Sequence, residues 1–191
     1  MFENLSNRLI TWLLHHGAIT EDEVTVYRYA AYNILYAAIP VIVMLTFGFF
    51  IEQPLGSILF IVTFILFRKY AGGFHFNSLK LCISVSLVTE FIFMYLASCI
   101  NHIIISFLLI ILSSLSIVTL SPVVSSSRPL EPDEIRYCKS MLKKHIVFLS
   151  LFCYCLYVIG YPDIISFPAF AMAMTALVQY PAILKRKGIE K

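Results

Sequence analysis

The chain has 191 residues, 60% of them hydrophobic and 13% charged, with a formal net charge of +3. Soluble domains carry about 25% charged residues, so this chain has too little polar surface to coat a globule in water. The composition also excludes a disordered tail, a coiled coil and a disulfide-rich secreted scaffold. The five Cys are an odd number without framework spacing. The expected fold class is an all-α integral membrane protein, a single membrane domain over residues 1–191. It should have about six transmembrane helices and an N-terminal interfacial amphipathic helix.

In chain order, residues 1–17 come first. Phe2, Leu5, Leu9, Trp12, Leu13 and His16 recur at helical spacing opposite Asn4, Asn7 and Arg8. This pattern predicts a helix lying on the inner leaflet with Trp12 at headgroup level, ended by Gly17. No secretory signal is read ahead of it. Thr20-Glu21-Asp22-Glu23 reads as a capping box opening the first span. A span needs about 20 mostly apolar residues, and six segments qualify: 29–51, 54–67, 79–100, 103–124, 145–161 and 164–184. The second is short, and Pro40 lies inside the first. A four-span alternative, with segments two and three re-entrant, rests on that shortness and on Glu90 in segment three.

The positive-inside rule sets the orientation. With a cytoplasmic N-terminus, all 14 Lys and Arg fall inside. Glu52, Asn101, His102 and Asp163 then mark the outer turns. Both ends are expected in the cytoplasm of a multi-pass cell-membrane protein. Residues 125–144 are expected to form a basic cytoplasmic loop that includes Lys143 and Lys144.

HExxH, GxSxG, Walker and dinucleotide patterns are absent, and neither metal nor cofactor is called for. One polar stretch, residues 68–82, stands out: Arg68-Lys69-Tyr70-Ala71-Gly72-Gly73-Phe74-His75, then Phe76-Asn77-Ser78-Leu79-Lys80-Leu81-Cys82. A Cys–His pair is the minimal set for thiol nucleophilic catalysis. On a continuous helix, seven residues would separate His75 and Cys82 by about 10 Å along the axis, too far for a hydrogen bond. They meet only if the chain leaves the helix near His75. Gly72 and Gly73 permit the bend, and Asn77 or Ser78 can cap a helix starting after it. Cys82 would then lie just past the first turn, near Lys80 and the positive helix end, surroundings that activate thiols. Cys99 with His102 and Cys138 with His145 lack the glycine bend, and Cys138 and His145 are expected on one amphipathic helix. Cys153 and Cys155 fall mid-span, where a thiol stays inert.

The RKYAGGFH segment, followed by a Cys seven residues on, resembles the hallmark of the AgrB family of quorum-sensing membrane peptidases. The basic 121–145 stretch and the chain length agree with this. The resemblance implies an enzyme that cuts an AgrD-like precursor peptide on the cytoplasmic side. The product is closed into a thiolactone or lactone through a thioester on the enzyme. Carried onto this chain, Cys82 is the nucleophile and His75 the general base and acid. Arg68, Lys69, Gly72, Gly73, Lys143 and Lys144 are candidates for substrate binding. The partners implied are the precursor, the lipid bilayer and a second copy in a homodimer, with no nucleic acid. Ala169, Ala171, Ala173 and Ala176 offer a close-packing stripe between helices, within the chain or across a dimer. A different class remains open from the residues alone: a non-catalytic peptide transporter or export partner using Glu90 as its intramembrane polar group.

Overall fold

Hydropathy and turn chemistry divide the chain into helices that the structure, a computed structural model, describes over residues 2–74, 78–123 and 130–189. Among the described residues seven α-helices run in order: α1 Phe2–His15, α2 Val24–Phe50, α3 Pro54–Ala71, α4 Leu79–Cys99, α5 Ile103–Leu120, α6 Pro132–Ile159 and α7 Ser166–Ile189. Six of them, all but α1, are long and apolar enough to cross a membrane. The fold is all-α, as expected. The α3 and α4 helices are continuous over 18 and 21 residues, so the second segment is longer than the shortness behind the re-entrant alternative supposed, while Glu90 remains within α4.

The chain forms two units, 1–43 and 44–191. In the first, Gly17 takes φ +65° and ends α1, its N–H and that of Ala18 returning to Leu14 and Leu13 carbonyls. Ser6 and Ile10 are buried, and Ser6 Oγ donates to the Arg28 carbonyl at 3.3 Å. Leu5, Leu9 and Trp12 face outward, a geometry suited to an interfacial helix. The capping box forms: the Thr20 N–H and hydroxyl donate to Glu23 Oε2 at 2.9 and 3.0 Å.

The second unit is organised around α7. Of the last span, 56% is buried inside the protein, against 11–33% of the other five. It packs against α5, α3 and α4. Small residues make this possible: Ala169, Ala171 and Ala176 are buried within this chain, so the alanine stripe serves intramolecular packing. The core joins Phe67, Ile110, Ile117, Leu142, Leu149 and Met172 from α3, α5, α6 and α7. Lipid gives helices no hydrophobic reason to associate, so close packing has to hold them. Gly56 of α3 shows how close: a Cβ there would sit 2.4 Å from the Phe167 ring.

Several boundaries differ from the sequence expectation: α2 starts at Val24 rather than at residue 29, and α5 ends at Leu120 rather than at residue 124. The second span extends from the expected 54–67 to Ala71, with Arg68 and Lys69 in its last turn. Charge does not end a helix when the side chain can reach a polar partner; Gly72 ends this one. Residues 132–144, expected in the loop, form the first half of α6, opened by Pro132 and a box in which the Glu131 N–H donates to Glu134 at 2.9 Å. The start of that loop, residues 124–129, lies outside the described residues.

Replacing Gly56 by Val drives a side chain into Phe167 and should destabilise the protein by about 1–3 kcal/mol. Thermal unfolding in detergent reads this, and Val147→Ala on the exposed face of α6 should leave the midpoint unchanged.

Candidate active site

Helix α3 ends in a turn that its own arginine closes. Arg68 sits one helical turn before Gly72, so its guanidinium lies over the helix end. Nη1 donates to the Gly72 carbonyl at 2.5 Å and Nη2 to the Phe74 carbonyl at 3.0 Å. The planar guanidinium fork holds both acceptors at fixed angles, which a lysine's rotatable ammonium does not. Both glycines are required. Gly72 has φ +71° and Gly73 φ +148°, conformations that L side chains avoid. A Cβ on Gly72 would sit 2.8 Å from the Val123 carbonyl oxygen, and a Cβ on Gly73 would collide with the Arg68 guanidinium.

The turn is anchored from two other elements. Val123, just beyond α5, donates to the Ala71 carbonyl at 2.9 Å and pairs with Gly72 in an isolated parallel bridge. The Phe74 N–H donates to the Val178 carbonyl of α7 at 3.2 Å. Beside these, Gln179 Nε2 donates to Ser121 Oγ at 2.6 Å in a buried pair.

The clamp also sets peptide orientation. The Gly72 carbonyl and the Gly73 N–H share one trans peptide plane and point in opposite directions. With the carbonyl held by Arg68, the Gly73 N–H points away from the guanidinium, and it has no acceptor among the described residues. The Gly72 N–H, by contrast, returns to the Arg68 carbonyl at 3.3 Å.

Cys82 lies in the helix that follows. Ser78 is the N-cap of α4, with φ −92° and ψ 122°, and the Cys82 N–H donates to its carbonyl at 2.9 Å. Ser78 caps by position only, since its side chain makes no capping bond. The thiol is half-buried at the start of the span. Extended backbone at Ser78 means that no continuous helix runs from residue 75 to residue 82. His75 itself lies outside the described residues.

A family model for AgrB, accessory gene regulator B, matches residues 6–181. This chain belongs to the AgrB family. No curated protein and no solved structure matches it. The family carries a role in accessory gene regulation, the quorum-sensing system.

In this AgrB chain the remaining expected site residues fall around the same helix end. Lys69 Nζ lies 5.3 Å from the Tyr70 ring centroid. Tyr70 packs on Tyr137 and His145 of α6, with centroids 6.2 and 5.3 Å apart, so α6 runs beside the end of α3. Lys143 and Lys144 are exposed on that stretch of α6. Of the other thiols, Cys99 and Cys155 are exposed. Cys138 and His145 share the continuous helix α6, and His145 Nδ1 is engaged with the Met141 carbonyl at 2.6 Å. Cys138 and Cys153 are buried. Glu90 is buried in α4, and the one salt bridge among the described residues, Arg136–Asp133, is elsewhere on exposed α6.

Four residues at the turn escaped the sequence reading: Ser121, Val123, Val178 and Gln179. Val123 and Val178 act through backbone atoms, which leave no residue-type signal. The sequence clue available was Gln179, a lone amide in an apolar run.

If Arg68 closes the turn, Arg68→Lys and Gly73→Ala should each open it. Amide exchange at Phe74, read by mass spectrometry in detergent, should rise at least tenfold in both, while exchange in α5 stays unchanged.

Proposed function

We propose that this chain is a membrane cysteine endopeptidase that matures a peptide pheromone. It removes the C-terminal tail of an AgrD-like precursor on the cytoplasmic side and cyclises the remainder. The observation that carries this reading is the clamped glycine turn with the break at Ser78. The turn ends α3 before residue 75 and the extended Ser78 opens α4 after it, so His75 and Cys82 do not share one continuous helix, which would hold them about 10 Å apart along its axis.

The reaction runs in two acyl transfers. His75 takes the proton of the Cys82 thiol, and the sulfur attacks the carbonyl of the scissile peptide bond. The Gly73 N–H, turned away from the guanidinium by the Arg68 clamp, is the candidate donor to the oxyanion. As the carbon–nitrogen bond breaks, His75 returns the proton to the departing amine, and the acidic tail leaves. The N-terminal portion stays as a thioester on Cys82. A thiol or hydroxyl within that peptide then attacks the thioester and loses its proton to His75. The ring closes as a thiolactone or lactone and the Cys82 thiol is regenerated. Water must be excluded or the thioester hydrolyses to a linear peptide; placement at the start of a span supports that exclusion.

Lys143 and Lys144, exposed on α6 beside the end of α3, suit an acidic tail. Lys69 lies in the last turn of α3. The orientation that puts this face in the cytoplasm, with both chain ends there, follows from the Lys and Arg distribution. The homodimer rests on the family resemblance.

Co-expression with a precursor, followed by intact-protein mass spectrometry, should reveal a peptide thioester on Cys82. Cys82→Ala and His75→Ala should each abolish adduct and cleavage. Charge reversal at Lys143 and Lys144 should raise KM several-fold and leave kcat within about twofold, as loss of uniform binding requires. Cleavage that survives Cys82→Ala overturns the mechanism. Peptide release lost in Glu90→Gln alone, without any processing in the wild type, would favour an export partner instead.

A further inference from the structure

Gln179 is fully buried in α7, in a protein where burial of a primary amide has to be compensated. Half of it is satisfied: Nε2 donates to Ser121 Oγ at 2.6 Å. Its carbonyl oxygen is buried too and has no partner among the described residues. A leucine at this position would fill similar space in α7 without desolvating any polar group, so packing gives no reason for the amide.

The neighbours of the pair supply one. The residue before Gln179, Val178, receives the Phe74 N–H. Two residues after Ser121, Val123 donates to the Ala71 carbonyl and bridges to Gly72. Two links therefore run from one turn of α7 to the glycine turn. One is direct, through the Val178 carbonyl to the residue after Gly73. The other passes from Gln179 to Ser121 and along the chain to Val123, which lies against Gly72. The only side-chain bond in either link is Gln179–Ser121. Among the described residues it is the one hydrogen bond that ties Ser121–Val123 directly to α7.

We propose that Gln179 and Ser121 are positioning residues for the thiol site: their buried hydrogen bond registers the segment after α5 against α7, and so fixes the Gly72–Gly73 turn from which the chain proceeds to residue 75. The inference rests on the peptidase reading for its catalytic consequence and on geometry alone for the coupling. Neither residue touches the reacting atoms. Their effect passes through Val123 and the orientation of the Gly72–Gly73 peptide plane.

A double-mutant cycle on the full-length chain in detergent, with the precursor as substrate, tests this. Gln179→Met keeps the volume and removes the amide; Ser121→Ala removes one hydroxyl and is the milder change. Each should lower kcat about tenfold, the scale of one lost hydrogen bond, with KM within twofold of wild type. The double variant should be no worse than the poorer single variant, because the two act as one unit. Independently of catalysis, amide exchange at Val123 should accelerate in all three variants. Multiplicative losses in the double variant, losses confined to KM, or unchanged exchange at Val123 would each overturn the proposal. A wild-type chain that forms no thioester counts against the peptidase reading instead, and the exchange measurement still decides whether the pair couples the two segments.

Discussion

The fork of hydrogen bonds from Arg68 to the carbonyls of Gly72 and Phe74 is the constraint on which the candidate site depends. It joins a charged side chain at the end of a membrane helix to backbone that has left the helix. Hydrogen bonds to a charged donor contribute about 1.5–3 kcal/mol each, enough together to hold a turn that the glycines make sterically possible but do not themselves fix. The clamp also gives the arginine a role that the positive-inside rule alone would not. It solvates the guanidinium with protein carbonyls, orients the peptide planes and frees the Gly73 N–H.

The rest of the second unit supports that turn from below. Helix α7, with Ala169, Ala171 and Ala176 buried, lets α3, α4 and α5 approach a single central element. This brings Val178 and Gln179 within reach of the turn between α3 and α4 and of the segment after α5. A helix facing lipid could not do this, because each backbone or amide group it offered would lie in hydrocarbon. The proposed reaction requires water to be kept from the acyl-enzyme, whose fate decides between a ring and a linear peptide.

Much of the architecture was legible in the sequence because hydropathy acts locally. Six apolar runs became six helices, and Gly17, Thr20 with Glu23, and Gly72 ended or began helices where turn chemistry put them. The boundaries that slipped did so for local reasons as well. Counting charge stopped the second span at residue 67, yet Arg68 bends its head group onto the next turn. Counting charge also hid the start of α6, where Pro132 and the Glu131–Glu134 box open a helix amid basic residues. At the site, the adjacent glycines signalled a bend, and Cys82 fell just past the first turn of α4, as Ser78 suggested. What held the bend was not legible. Val123 and Val178 contribute backbone atoms from far along the chain, and the meeting of Gln179 with Ser121 depends on how α7 packs. Such non-local pairings appear only once the helices are placed.

The central claim is that the clamped turn returns residue 75 to Cys82, and a thiol cross-link measures that most directly. With Cys99, Cys138, Cys153 and Cys155 replaced by Ser or Ala, His75→Cys would pair with Cys82 under mild oxidation if the two positions face each other within disulfide reach, a Cα separation of about 4.4–6.8 Å. The account predicts rapid, near-complete intramolecular cross-linking that Arg68→Lys suppresses. No cross-link in the otherwise intact chain, or one indifferent to Arg68, would contradict it.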